Sequence, residues 1–160
     1  MPSALKQRSR ERPTHELVDL GLRTGYASLM PGRRFITRTR VRYAETDATG
    51  IVYYANYFIY FELGRIEMFR QLSLPYDRHL PIVETTCRYH APACFDDELE
   101  IQSTVEELRR CGFRIGSRVF RLSPEGEPLL LVEGHTSMVV VGQDDRPIEL
   151  PEAFRIAFDG

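Results

Sequence analysis

Cysteine is scarce in this chain, and the little there is has no pattern. Cys87, Cys94 and Cys111 form no CxxC pair and, being three, cannot all pair within one chain. They read as reduced thiols of a cytoplasmic protein. Histidine is equally sparse. His15, His79, His90 and His135 lack the i, i+4 or Cys-His spacing of a metal site, so no metal and no redox cofactor is expected. No apolar run reaches the roughly 18 residues that a bilayer-spanning helix needs, so no membrane partner is expected. The N-terminal segment MPSALKQRSRERPTHELVDLG is basic and has no apolar core of the kind a secretory signal carries. Neither sign of charge dominates. A net charge of −2 gives no global reason to bind nucleic acid or an anionic surface.

What is present suits one domain with one core: 160 residues, of which 42% are hydrophobic. Residues 1–32 read as an N-terminal extension. The first 13 are polar and basic enough to be a disordered tail, and His15 to Arg23 suits a short helix after Thr14 as N-cap. Pro31-Gly32 marks a break, and residues 33–160 form the domain. From Phe35 the chain alternates, with Ile36, Arg38, Arg40 and Arg42 on one side and Phe35, Thr37, Thr39, Val41 and Tyr43 on the other. The arginine side reads as a solvated or subunit-facing sheet surface.

A turn, AETDATG, leads into Tyr53 to Leu72, long enough for about five helical turns. Its apolar residues occupy several faces, which predicts a helix largely enclosed by protein. Strands follow at Pro81 to His90, Glu98 to Glu107, Phe113 to Leu122 and Leu129 to Val141, and a short helix near Pro151. The pattern is α+β, a single antiparallel sheet of about five strands wrapped around one long helix.

Asp47 stands in that turn among small residues. If the helix begins near Tyr54, its first amides are unpaired and carry the positive end of the macrodipole, an oxyanion site for a reacting carbonyl. A carboxylate one loop away can attack a thioester carbonyl or activate a water that does. Gly50 lets the loop turn tightly. On chemistry alone the other reading stands beside this one: Asp47 caps the loop and favours the helix dipole.

The wider stretch RVRYAETDATGIVYYANYFIYFELGRIEMFR resembles the signature of the 4-hydroxybenzoyl-CoA thioesterase-like group of hot-dog-fold acyl-CoA thioesterases. The match runs through Tyr43, Thr46, Asp47, Gly50, Val52, Tyr53, Asn56 and Tyr57, then Phe61, Glu62 and Arg65, and the resemblance covers about residues 34 to 145. It implies a curved sheet around a central helix, paired as a homodimer and assembled as a tetramer, with acyl-CoA entering at the dimer interface. It implies Asp47 as the catalytic carboxylate and the Tyr54 backbone N–H as the group that polarises the thioester carbonyl. Gly50, Val52, Tyr53, Asn56 and Tyr57 would line the substrate. Many relatives carry histidine where this chain has Tyr54, whereas aromatic-acyl members can have tyrosine, which inclines the expectation towards a ring-bearing acyl group.

Arg109 and Arg110, at a hairpin, suit the phosphates of coenzyme A or, equally, a solvated turn. Glu62 and Arg65 are expected to pair along the helix, Asn56 to fix the loop, and Glu45 to face solvent. His90 and His135 read as strand residues with satisfied hydrogen bonds, and Cys111 lacks a base that would make it a nucleophile. Hydrolysis of a thioester delivered by coenzyme A or by an acyl carrier protein is the expected activity. The alternatives are a non-catalytic acyl-binding protein and, more remotely, a hydratase.

Overall fold

Alternation decides the sheet. On one strand Leu99, Ile101 and Ser103 are fully buried while Gln102 between them is half-exposed, the signature of one face turned to a core. The computed structural model describes residues 32–124 and 126–159. Along them run β1 (Phe35–Arg40), α1 (Asn56–Gln71), β2 (Ile82–Tyr89), β3 (Glu98–Arg109), β4 (Gly112–Ser123), β5 (Gly126–Val139) and α2 (Glu152–Asp159), with a 3-10 turn at Tyr43–Glu45. Of the extension expected over residues 1–32, all but residue 32, including its short helix, lies outside the described residues. Among those described, no helix is long and apolar enough to cross a membrane.

The strands form one antiparallel sheet in the order β1-β3-β4-β5-β2. β3, β4 and β5 are joined by hairpins, as their succession in the chain predicts. β2 precedes β3 in the chain but does not pair with it: it pairs with β5 at the far edge, Thr86 opposite His135. The link from β2 to β3 is no hairpin turn. It crosses the end of the sheet, where Val52 donates to the Ala93 carbonyl and Ile51 bridges Cys94.

Helix α1 lies across the sheet on Tyr57, Tyr60, Phe61, Gly64, Arg65, Met68 and Phe69, a single face at i, i+3, i+4, i+7 spacing. The expected enclosure by protein is limited to this face and its flanks, since Ile59, Glu62 and Arg70 on the opposite face are exposed. Gly64 permits the closest approach. A Cβ there would lie 2.6 Å from Ile101 Cγ2 and 2.7 Å from Ser103 Oγ.

The first half of the helix packs with Val41, Val52, Leu99, Ile101, Val119 and Leu131. The second half joins Phe35, Phe113, Ile115 and Phe154 of α2. There Phe69, Phe113, Phe154 and Phe158 meet at ring distances of 5.2–6.2 Å. Each fully buried side chain of this kind stabilises the fold by about 1.5–3 kcal/mol.

Candidate active site

The chain leaves β1 at Arg40 and turns at Tyr43–Glu45. The Arg42 N–H donates to Glu45 Oε2 (2.8 Å), and the Arg42 guanidinium donates to Oε1 from Nε (2.9 Å) and Nη2 (2.7 Å). Tyr60, on the buried face of α1, donates its hydroxyl to Glu45 Oε2 at 2.8 Å. Glu45 is thus 5% exposed, not solvated as its place in a polar loop suggests. Three sets of donors satisfy the carboxylate, which is the condition for burying one. Burial pushes this carboxyl up, but the Arg42 amide, the Arg42 guanidinium and the Tyr60 hydroxyl outweigh it and hold it below the usual range.

A tight loop follows, closed by the Thr46–Val52 bridge and by the Asp47 N–H donating to the Ile51 carbonyl at 2.8 Å. Gly50 sits in it at φ +84°, a conformation that L side chains rarely adopt. Asp47, half-exposed, accepts from the Thr49 N–H (2.7 Å) and the Thr49 hydroxyl (2.5 Å), both on Oδ1. Those bonds, the hydroxyl foremost, lower its carboxyl below the ordinary value of 3.8. The Ile51 and Gly50 amides lower it further, each by less.

On the returning arm the amides of Val52, Tyr53 and Asn56 are taken by the carbonyls of Ala93, Glu45 and Tyr53. Among the described residues the amides of Tyr54 and Ala55 have no acceptor. The regular helix begins at Asn56 rather than Tyr53, so these two donors sit in the turn that opens it. Asn56 donates its side-chain amide to the Glu45 carbonyl (2.7 Å), fixing the loop to the helix.

Asp47, Gly50, Tyr53, Tyr54 and Asn56 therefore share one end of the sheet. Val52 and Tyr57, expected to line a substrate, are 3% and 2% exposed and form the floor beneath it. Tyr57 accepts from the Ala93 N–H, and burial pushes its phenol up to about 12. Tyr53 and Tyr54 are exposed with rings 4.5 Å apart, and Tyr89 of β2 donates its hydroxyl to the Tyr54 carbonyl at 3.1 Å.

Arg109 and Arg110 are not brought here. They occupy the β3–β4 turn, whereas the Asp47 loop adjoins the other end of β3, where Arg40 faces Glu98. Arg109 pairs with Glu107 at 2.9 Å. The pairing expected between Glu62 and Arg65 is not formed. Arg65 turns inward to Thr136 (3.4 Å) and the Tyr76 hydroxyl (3.2 Å), while Glu62 is exposed. On the outer sheet face Arg38 pairs with Glu100 and Arg40 with Glu98, and His90 and His135 contact Glu133 and Thr86.

Sequence reasoning missed Thr49, Tyr60 and the buried role of Glu45. The signal for Glu45 lay in Arg42, three residues before it, and in Tyr60 on the helix's buried face.

Residues 41–158 match the thioesterase-like superfamily. The chain belongs to it. The acyl-CoA thioester hydrolase YbgC of Escherichia coli is 34% identical over 126 residues, 74% of this chain and 91% of that protein. The 4-hydroxybenzoyl-CoA thioesterase of Pseudomonas sp. is 27% identical over 131 residues, 74% and 93% of the two chains. Among solved structures, a mutant 4-hydroxybenzoyl CoA thioesterase complexed with 4-hydroxybenzoyl CoA superposes with a TM-score of 0.72 at 25% identity. It covers 79% of this chain and 99% of its own. The fold is accordingly the hot-dog fold, and the protein is a thioester hydrolase of the acyl-CoA thioesterase family.

Proposed function

We propose that this thioesterase uses Asp47 as its reacting carboxylate and the open amide of Tyr54 as its oxyanion donor, releasing a free acid and coenzyme A from an acyl-CoA. One observation carries the reading. Asp47 stands on one arm of a single short hairpin and the open amides of Tyr54 and Ala55 on the other, while the amides of Val52, Tyr53 and Asn56 are already bonded. Asp47 Oδ2 attacks the thioester carbon, the carbonyl oxygen gains charge against the Tyr54 N–H, and the C–S bond breaks to release the thiolate. The resulting mixed anhydride is opened by water, which returns the carboxylate and leaves the acid. The lowered carboxyl keeps Asp47 ionised, the form that either attack on the carbonyl carbon or activation of a water requires.

Tyr53 and Tyr54 support a ring-bearing acyl group, since exposed aromatic faces hold another ring by offset or edge contact worth about 0.5–1.5 kcal/mol. The edge of β2 supports a homodimer. Its outer side pairs with no described strand and bears Ile82, Val83 and Tyr89, all exposed. Pairing of two such edges brings a partner close to Tyr89 and hence to Tyr54, and a second-order pairing of dimers makes a tetramer. In that assembly the arginine turn of the partner, Arg109 and Arg110, is the source of any contact with coenzyme A phosphates.

Asp47→Asn keeps the shape and removes the nucleophile. It is expected to lower turnover by at least ~10²-fold on benzoyl-, hexanoyl- and palmitoyl-CoA measured side by side. Wild-type hydrolysis by the variant refutes the assignment. A preference for palmitoyl-CoA refutes the ring-bearing substrate alone.

A further inference from the structure

Glu45 belongs to both arms of the hairpin and to the helix behind it. Its side chain receives the Arg42 amide and guanidinium and the Tyr60 hydroxyl, at 2.7–2.9 Å. Its own carbonyl receives the Tyr53 N–H (2.9 Å) and the Asn56 side chain (2.7 Å). The segment that carries Asp47 and the segment that carries the Tyr54 amide are therefore fastened to one residue. The core anchors that residue from behind, because Tyr60 is 2% exposed and packs edge-on against Tyr57 at 5.7 Å. Each Glu45 oxygen already accepts two hydrogen bonds and the Tyr60 hydroxyl proton is committed to one of them, so a reacting role is not open to either group.

We propose that Glu45 is a positioning residue, held by Tyr60 of the central helix, that sets the spacing between the Asp47 carboxylate and the Tyr54 amide. This rests on the reading of those two groups as the reacting carboxylate and oxyanion donor. The physical reason is the steep dependence of attack on geometry. Buried Val52 packs the loop against α1, with Ala93 linking it to Tyr57, but the direct side-chain hydrogen bonds from α1 to the loop run to Glu45, at its carbonyl and its carboxylate. A displacement of an ångström at the reacting atoms is worth about 10²-fold in rate. Fixing the loop through a buried carboxylate rather than an apolar side chain gives it a directional hold, since each donor admits one arrangement.

Glu45→Gln and Tyr60→Phe are near-isosteric and test the link from both ends. Each is expected to lower kcat by about 10- to 100-fold and to leave KM within ~3-fold of wild type, because the apolar floor is untouched. Amide hydrogen exchange over residues 46–55 should quicken by at least ~10-fold in both, with exchange in β3 and β4 unchanged. The double variant should lose no more than the worse single one, as for two ends of one bond. Retention of wild-type kcat in both variants with a lowered Tm makes Glu45 merely structural and overturns the proposal. Loss of kcat with unchanged exchange over 46–55 overturns it equally. Asp47→Asn run alongside separates the two readings: if it hydrolyses thioesters normally, the assignment of Asp47 has failed, and the exchange data alone decide whether Glu45 holds the loop.

Discussion

Thr49 governs how acidic the Asp47 carboxyl is, since its hydroxyl and amide both donate to Oδ1. Thr49→Val removes the hydroxyl and keeps the amide, so the carboxyl should rise from its lowered position towards 3.8. Titration of the Asp47 carboxyl carbon by NMR checks this, and an unmoved or lowered midpoint contradicts it. Glu45 gives a pH dependence of stability. Its folded carboxyl is lowered, so its contribution is present above the unfolded value near 4.5 and is lost as pH falls through the folded one. Glu45→Gln, which cannot titrate, should flatten the fall in denaturation midpoint below that pH. An equally steep fall in the variant shows that other carboxylates carry it. The Asp47 loop and its Gly50 turn were legible in the sequence, but a role for Asp47 came only through the resemblance, since on chemistry alone a loop cap stood beside it. Glu45 was not, because its burial depends on Tyr60, and only the helix register brings that hydroxyl to the loop.

At the scale of elements, the contact between α1 and β3 is the tightest joint near the site, and Gly64 makes it possible. Gly64→Ala gains helix propensity of up to about 1 kcal/mol. Against this, the new methyl meets Ile101 Cγ2 at 2.6 Å, on a β-branched side chain with little rotameric freedom. Overpacking of that kind costs about 1–3 kcal/mol, so a net loss of stability is expected in the denaturant midpoint. A variant as stable as wild type places the helix farther from the sheet than described. Alternation made the five strands readable to within a few residues. Two features were hidden from it. The helix starts at Asn56 because Tyr54 and Ala55 are held in a turn, a difference no periodicity registers. β2 crosses to the far edge because residues 90–97 bind the Asp47 hairpin instead of reversing the chain, a choice made by the Ala93 carbonyl and Cys94.

At the scale of the whole molecule, α1 and β2 leave apolar side chains open among the described residues. Ile82, Val83 and Tyr89 on β2 are 44–58% exposed, beside an edge whose backbone groups pair with no described strand, and Ile59 stands out on the helix. In the homodimer proposed above, one self-complementary contact would cover the strand's share: two β2 edges antiparallel about a twofold, continuing the sheet from one protomer into the next. The sequence reached an assembly only through resemblance, since no residue pattern distinguishes an edge strand awaiting a partner from one already covered. Sedimentation at micromolar concentration should give a multiple of the 18.5 kDa chain mass. Val83→Lys places a charge on each of the two edges and should shift the protein towards monomer. Turnover per chain should fall with the dimer fraction, because Tyr89 ties that edge to the Tyr54 carbonyl and loses its support when the partner leaves. A Val83→Lys monomer with full activity would show that one chain holds a complete site, and a wild-type protein that sediments as a monomer would remove the partner altogether.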